Sequence, residues 1–374
     1  MSKFGFHSNS SPSVGVELEL AVVDGETFSL ANRSNELLAA VPPPFASACK
    51  HELMQSSIEI ISCVCQDVSQ ARSDLSSKLV VVQQCAERLG LGLWWGATHP
   101  FSHWQDQVVT DDQRYLDLVN LLQEMARRLI TNGLHVHVGV DSGDKAVMIC
   151  DRIMQHLPTL LALSASSPFW EGRDTGLHSH RSKVMEGLPT AGLPTLMRNW
   201  SEYVWLVNHM EETGFINTIR EIWWDVRPHH NFGTVEVRMC DIPGNLDHVC
   251  GLAALIQCLV KFLSDEIDEG TYQFDCHPMM VRQNKWRAAR FGLQATLVDT
   301  FDYSEKTVPE IANRLVDQLR GVAQELGCES ELLFVREIAT GVSWADRQRD
   351  ILDKTDQPRQ IVQQLMRQSQ IELS

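Results

Sequence analysis

Apolar residues recur along this chain with two periods. In several short segments every second position is apolar, and in several long ones every third or fourth. That contrast predicts strands interleaved with amphipathic helices. The alternating segments span 13–21, 54–62, 90–97, 133–140 and 233–240. The helical ones span 66–89, 111–129, 145–163, 195–212 and 245–263; in the first, Val68, Ala71, Leu75, Leu79, Val82, Ala86 and Leu89 form one stripe. The 245–263 segment is apolar on several sides, so deep burial is expected. From Pro309 onward the pattern is almost wholly helical, with a break at Pro358. Between 166 and 194 the chain is rich in Gly and Pro and has no period, the composition of a binding loop or lid. Strands interleaved with long helices imply an α+β fold, and leave the sense of strand pairing open.

Four of these strands carry their polar residues on one face. Side chains at i and i+2 point the same way on a strand. In VGVELEL, Glu17 and Glu19 share a face opposite Val16, Leu18 and Leu20. In LMQSSIEI, Gln55, Ser57 and Glu59 oppose Ile58 and Ile60. In GLHVHVG, His135 and His137 oppose Leu134, Val136 and Val138, and in GTVEVRM, Glu236 and Arg238 oppose Val235, Val237 and Met239. Any one pair reads most simply as a half-buried strand with a wet face. Four pairs with few lysines among them predict carboxylates gathered on one sheet surface, if the strands are neighbours. Mutual repulsion makes such a surface costly without bound cations. A mainly oxygen donor set with one or two imidazoles favours Mg²⁺ or Mn²⁺ over a structural zinc site. Arg238, set among carboxylates, suits charge developing on a transferred phosphoryl group.

Other candidates are weaker. His99 and His103 follow an apolar strand end and are as easily explained as turn or core histidines. Trp94, Trp95, Trp223 and Trp224 read as core or rim aromatics, and Cys63 and Cys65, placed on a continuing strand, as packed thiols. There is no GxxxxGK[ST] phosphate loop, no GxGxxG after a strand and no GxSxG elbow, which removes support for the common nucleotide folds and the α/β-hydrolases.

Bulk properties narrow the partners. With 48 acidic against 32 basic side chains the formal charge is −16, which repels phosphate backbones and argues against nucleic acid. ATP stays admissible, because divalent cations can reverse the local potential. The leading residues MSKFGFHSNSSPS lack the apolar stretch of a secretory signal, and 252–263, interrupted by Gln257 and Lys261, is too short an apolar run for a membrane span. The ten cysteines include no CxxC pair, so free thiols in a reducing cytoplasm are expected, with no membrane association.

At this point VGVELEL, SSIEI, GATHPF, GLHVHVG, SPFWEGRDTGLHSHRS and WWDVRPHHNFGTVEVRMCD together resemble the glutamate–cysteine ligase type 2 family, also called carboxylate–amine ligases. The motifs occur in the family's order from about Val14 to the helix after Asp241, which covers most of the chain. The resemblance implies a glutamine synthetase/guanidino kinase-like fold: a curved, largely antiparallel β-sheet with flanking helices, forming a single catalytic domain over 1–374. Residues 1–12 are expected to be disordered and 306–374 to form a helical region packed on the domain. It implies an ATP-dependent ligase, with weak glutamate–cysteine ligase activity through an acyl phosphate, releasing ADP and phosphate, and a homodimer. Carried over by position, Glu17, Glu19, Gln55, Glu59, His135 and Glu236 match metal positions. His137 matches a metal or nucleotide contact, Arg238 the phosphate-contacting arginine, and Arg181 a loop arginine that meets substrate or nucleotide.

Two departures stand out. Leu18 replaces a third glutamate found in many members, as a core-facing position requires. Gln55 stands where some relatives carry Glu, and a neutral amide is a weaker ligand for a hard cation. Glu52, of opposite parity, can replace it only if the strand bulges or has not yet begun. The competing readings are a metal-dependent hydrolase, which His-x-His with carboxylates also permits, and a nucleotide- or metabolite-binding protein without turnover, which only Gln55 favours.

Overall fold

A computed structural model describes residues 5–271, 277–299 and 302–371. Its centre is a seven-stranded sheet made of β1 (Val14–Asp24), β2 (Cys49–His51), β3 (Ser57–Ile61), β4 (Leu91–Trp94), β5 (Gly133–Gly139), β8 (Val226–His229) and β9 (Thr234–Asp241). The remaining strands form two small hairpins, β6 (Phe169–Trp170) with β7 (Arg173–Asp174), and β10 (Thr296–Val298) with β11 (Glu305–Thr307). The main order is β2-β3-β1-β5-β9-β8, with β4 paired to the end of β1, and every pairing is antiparallel. The α+β class expected from the pattern and the antiparallel sheet that the resemblance implies are therefore both present.

The alternation places one face of this sheet in the core. Val14, Val16, Leu18, Leu20, Ile58, Ile60, Leu134, Val136, Val138, Val235 and Val237 are all buried in one apolar cluster with the stripe of the Val68–Arg88 helix and most of the Leu246–Asp268 helix. Burying each such side chain stabilises by roughly 1.5–3 kcal/mol, so the register of β1, β3, β5 and β9 is fixed by this face. A slip of one residue would turn the apolar set outward. The opposite face is left to the polar residues.

The Leu246–Asp268 helix begins at Asn245, whose side chain accepts from the His248 amide. By length and composition it could cross a membrane, in contrast to the expectation from the shorter run 252–263; 78% of its most apolar window is buried inside the protein. The C-terminal part is helical over Val308–Leu326, Glu329–Thr340, Trp344–Thr355 and Pro358–Ser369, and the last helix starts at Pro358. Trp344, Ile351, Ile361, Val362 and Leu365 from the last two helices pack with Ala21, Val23, Trp94 and Phe169 at one end of the sheet.

Several expectations need correction. The helix predicted over 145–163 is broken into Gly143–Ile153, a 3₁₀ turn and Leu157–Ser164, with Pro158 in the first turn of the second piece. The helix over 111–129 is split at Gln123, which adopts φ 51°. Residues 1–4 lie outside the described residues. Residues 5–12, expected to be disordered, are instead tied down: the His7 amide donates to His230 O, the Asn9 amide to Val140 O, and the Asn9 side chain to Phe232 O. Cys63 lies beyond the end of β3 and is exposed, while Cys65 is buried and bridges to Val14.

The 166–194 segment is anchored rather than loose. Asp241, fully buried at the end of β9, accepts from the Ser166 amide at 3.0 Å, Ser167 Oγ at 2.6 Å and Ser179 Oγ at 2.9 Å. His178 meets Asp346, and Arg349 grips Asp174 with two nitrogens. Its composition suggested irregular backbone, and irregular backbone is present. What pattern reasoning missed is that one buried carboxylate satisfies three of its donors.

Candidate active site

The polar face of the sheet is the floor of a cleft of about 470 Å³. Register decides what sits beside what. Glu17 is paired with His135, Glu19 with Glu59, His137 with Glu236, and Glu236 with Arg227. The four strands are neighbours, in the order β3-β1-β5-β9. Between Leu134 and Val136 the β5–β9 register shifts by one residue. There Arg238 and Met239 together span one position of β5, a bulge of the kind that re-aims side chains next to functional sites.

The distances follow from this pairing. His135 Nδ1 lies 3.3 Å from Glu17 Oε2 and its Nε2 3.6 Å from Glu19 Oε1. His137 Nε2 lies 3.3 Å from Glu17 Oε1 and 3.7 Å from Glu236 Oε1. The other nitrogen of His137, Nδ1, is 3.0 Å from Thr234 Oγ1, which fixes the ring. His137 Nε2 is buried with no hydrogen-bond partner, although it faces two carboxylates. Glu236 is 1% exposed and gripped from two sides, by Arg227 Nε at 2.7 Å and by Arg238.

Charge is distributed unevenly over the floor. Burial alone would raise the Glu236 carboxyl, yet Arg227, Arg238 and His137 outweigh it and hold the group well below the usual carboxylate range. Glu17 is likewise held low against burial, by the His135 and His137 imidazoles that face it. Glu59 goes the other way: burial and then the Glu17 charge push it up to about 7, despite Lys50 Nζ at 3.4 Å. Burial, followed by the charges of Glu19 and Glu59, raises Glu52 well above its ordinary value. One half of the floor is thus compensated by arginine and histidine, and the other carries carboxylates that repel one another.

Oxygen and nitrogen atoms of Glu17, Glu59 and His135 lie within 4.8 Å of one another, as do those of Glu17, His137 and Glu236. These are two places where a cation could be held, sharing Glu17. An orphaned imidazole nitrogen, a mainly carboxylate donor set and a Glu59 carboxyl raised by burial and by the Glu17 charge beside it all fit a hard divalent ion.

Of the positions expected from the sequence, Glu17, Glu19, Glu59, His135, His137, Arg181, Glu236 and Arg238 all line this cleft. Gln55 does not. It precedes β3, and its Nε2 donates to Val109 O, so it is withdrawn as a metal position. Gln55 does not share the face of Ser57 and Glu59 because β3 begins only at Ser57, after a turn from β2. Glu52, on that turn, lines the cleft instead. Arg181 lines the cleft too, but its Nη atoms donate to the main chain, to Met239 O at 3.1 Å and Arg238 O at 3.2 Å. Sequence reasoning missed Lys50, Arg114, Arg220, Asp225 and Arg227, which also line it. Arg227 on β8 and Asp225 just before it repeat the i, i+2 device. A four-residue strand containing Pro228 is too short to announce itself by period.

The glutamate–cysteine ligase family 2 model matches residues 13–370. The chain belongs to that family. A relative from Frankia casuarinae, provisionally named glutamate–cysteine ligase 2-1, is 45% identical over 350 residues, covering 92% of this chain and 91% of its own. Among solved structures, a glutamate–cysteine ligase from Francisella tularensis in complex with AMP superposes with a TM-score of 0.70 at 12% identity, over 97% of this chain and 90% of that one. A bifunctional glutathione synthetase from Pasteurella multocida gives 0.68 at 16% identity; it covers 95% of this chain but only 52% of the synthetase. These two likenesses concern the fold. Family membership makes the chain an ATP-dependent carboxylate–amine ligase, acting on a small-molecule carboxylate and an amine.

Proposed function

We infer that this ligase joins glutamate to cysteine or a related amine, with Mg²⁺ or Mn²⁺ held by Glu17, Glu59, His135, His137 and Glu236. The observation that carries this reading is the convergence of carboxylates and imidazoles from four strands on one cleft floor, within ligand distance of one another and beside two arginines. Glu19 supports the same floor: it accepts from the Gly133 amide and lies against His135. Glu52 lines the cleft where Gln55 was expected to. The names of the curated relatives supply glutamate and cysteine as the first pair to try.

Bound divalent ions would neutralise the triphosphate and relieve the repulsion among these carboxylates. The chain's own residues do the rest. His137, oriented by Thr234, offers Nε2 toward Glu17 and Glu236. Arg227 and Arg238, fixed on Glu236, set permanent positive charge at the edge of the floor, suited to phosphate oxygens as a phosphoryl group moves. In this reaction the substrate carboxylate attacks the terminal phosphorus of ATP, releasing ADP. The amine then attacks the resulting acyl phosphate, releasing phosphate and forming the amide. No protein nucleophile is required. The withdrawal of Gln55 from the cleft removes the one feature that favoured a non-catalytic binding protein.

The test is a phosphate-release screen with Mg²⁺-ATP, glutamate and a panel of amines. ADP and phosphate should appear only when both substrates are present; AMP and pyrophosphate, or hydrolysis indifferent to ATP, would refute the reading. The control is Glu236→Gln, expected to lower turnover at least about 100-fold by removing a metal oxygen and loosening both arginines. The homodimer belongs to the same proposal, and light scattering on the purified protein decides it.

A further inference from the structure

Asp225 stands one residue before β8, with the parity of Arg227, and the Arg238 amide donates to its carbonyl at 2.8 Å. It is therefore the cross-strand neighbour of Arg238, at the edge of the floor where a phosphoryl group would be transferred. Its side chain is 10% exposed and lines the cleft. Lys285, from the Pro278–Phe291 helix behind it, is itself buried and donates to Asp225 Oδ2 at 2.6 Å. Lys285 also reaches Glu186 Oε1 at 2.9 Å, so its ammonium is shared between two carboxylates. Oδ1 of Asp225 has no donor among the described residues. A carboxylate so deeply buried ordinarily has both oxygens satisfied. Here one oxygen is clamped from behind and the other is left to the cleft.

The cleft has cations in surplus at this edge, in Arg227, Arg238 and exposed Arg220, and all of them suit anionic groups. A carboxylate oxygen left open beside them suits the opposite charge. The ligase reading brings two ammonium groups to the cleft, glutamate's and the acceptor's, and only the acceptor's must come to rest beside the acyl carbon. We propose that Asp225, held in place by Lys285, is the docking group for the ammonium of the amine acceptor. The inference rests on the ligase reading and adds the residue that selects the second substrate. Lys285 acts through Asp225 and is a positioning residue.

The experiment uses the full chain with Mg²⁺-ATP, glutamate and cysteine, following ADP release. Asp225→Asn should raise the KM for cysteine about tenfold or more, the loss of one charge-assisted hydrogen bond, with KM for ATP and glutamate within about twofold. Lys285→Met should move the cysteine KM in the same direction, and Asp225→Glu should recover part of the loss. Calorimetric binding of 3-mercaptopropionate, which is cysteine without its α-amine, should be the same in Asp225→Asn and the parent. An unchanged cysteine KM, or an equal rise for all three substrates, overturns the proposal. So does a parent protein that binds Mg²⁺-ATP and shows no cysteine-dependent ADP release. Failure of Mg²⁺-ATP to bind the parent at all would instead sink the ligase reading, and this assignment with it.

Discussion

His99 shows how a single buried side chain can tie the protein's stability to pH. Its Nδ1 lies 3.0 Å from the Ser102 amide and its Nε2 2.9 Å from Phe28 O. Accepting at one nitrogen and donating at the other, the ring must be neutral. Burial pushes its pKa from 6.5 down to about 3. The unfolded chain therefore binds the proton first as pH falls, so stability contributed by this site is complete above about pH 6.5 and is lost progressively toward pH 3. Urea midpoints measured across that window should fall less steeply for His99→Gln than for the parent. Parallel slopes would show that the site does not contribute. At the same scale, Glu52 and Glu59 differ from Glu17 and Glu236 only in what surrounds them: two are faced by other carboxylates, two by imidazole or guanidinium.

At the scale of elements, the bulge on β9 is the feature on which Arg238 depends. Arg181 holds it by donating to both carbonyls of the bulged pair, from a short helix, Arg181–Met185, whose entry is fixed by Ser167 and Ser179 on Asp241. Gly133 makes room for this arrangement, since a Cβ there would meet Arg181 Nη2 at 2.1 Å and its Cζ at 2.7 Å. Gly133→Ala should displace the guanidinium and with it the bulge. The expected result is a fall in kcat on the order of 100-fold, as a misplacement of about 1 Å in a catalytic group can cause, with far-UV circular dichroism unchanged. Normal turnover in that variant would show that Arg181 does not hold Arg238 in position. The four functional strands were legible from alternation because each pairs an apolar face with a polar one. β2 and β8 were not, having three and four residues, too few for a period to register.

For the whole molecule, the question is whether 166–194 closes over the cleft. Its two-sided anchoring, to Asp241 inside and to Arg349 and Asp346 on the Trp344–Thr355 helix, predicts that it does not. Trypsin has exposed Arg173 available in this stretch. Cleavage there should proceed at the same rate with and without Mg²⁺-ATP and glutamate, read by mass spectrometry. Protection by ligands would mean that the segment moves, as its Gly- and Pro-rich composition had suggested. The same scale corrects the reading of the N-terminal stretch, where 5–12 is short of apolar pattern but is held by main-chain hydrogen bonds to His230 and Val140.

Alternation along each strand was enough to name which side chains share a face, because a strand's period of two is a property of local geometry. In this way Glu17 with Glu19, His135 with His137, and Glu236 with Arg238 were paired before any contact was known, and the family's motifs were readable in the same residues. Local geometry cannot say which strands lie side by side. That β1 sits between β3 and β5, and β9 beside β5, was decided by burial of the shared apolar face. Strand boundaries were also decided in three dimensions, and one boundary exchanged Gln55 for Glu52 at the cleft. The ties of Asp225 to Lys285 and of Asp241 to three serine groups join residues 60 or more positions apart. No periodicity encodes such contacts; they exist because buried charge has to find a partner once the core has closed.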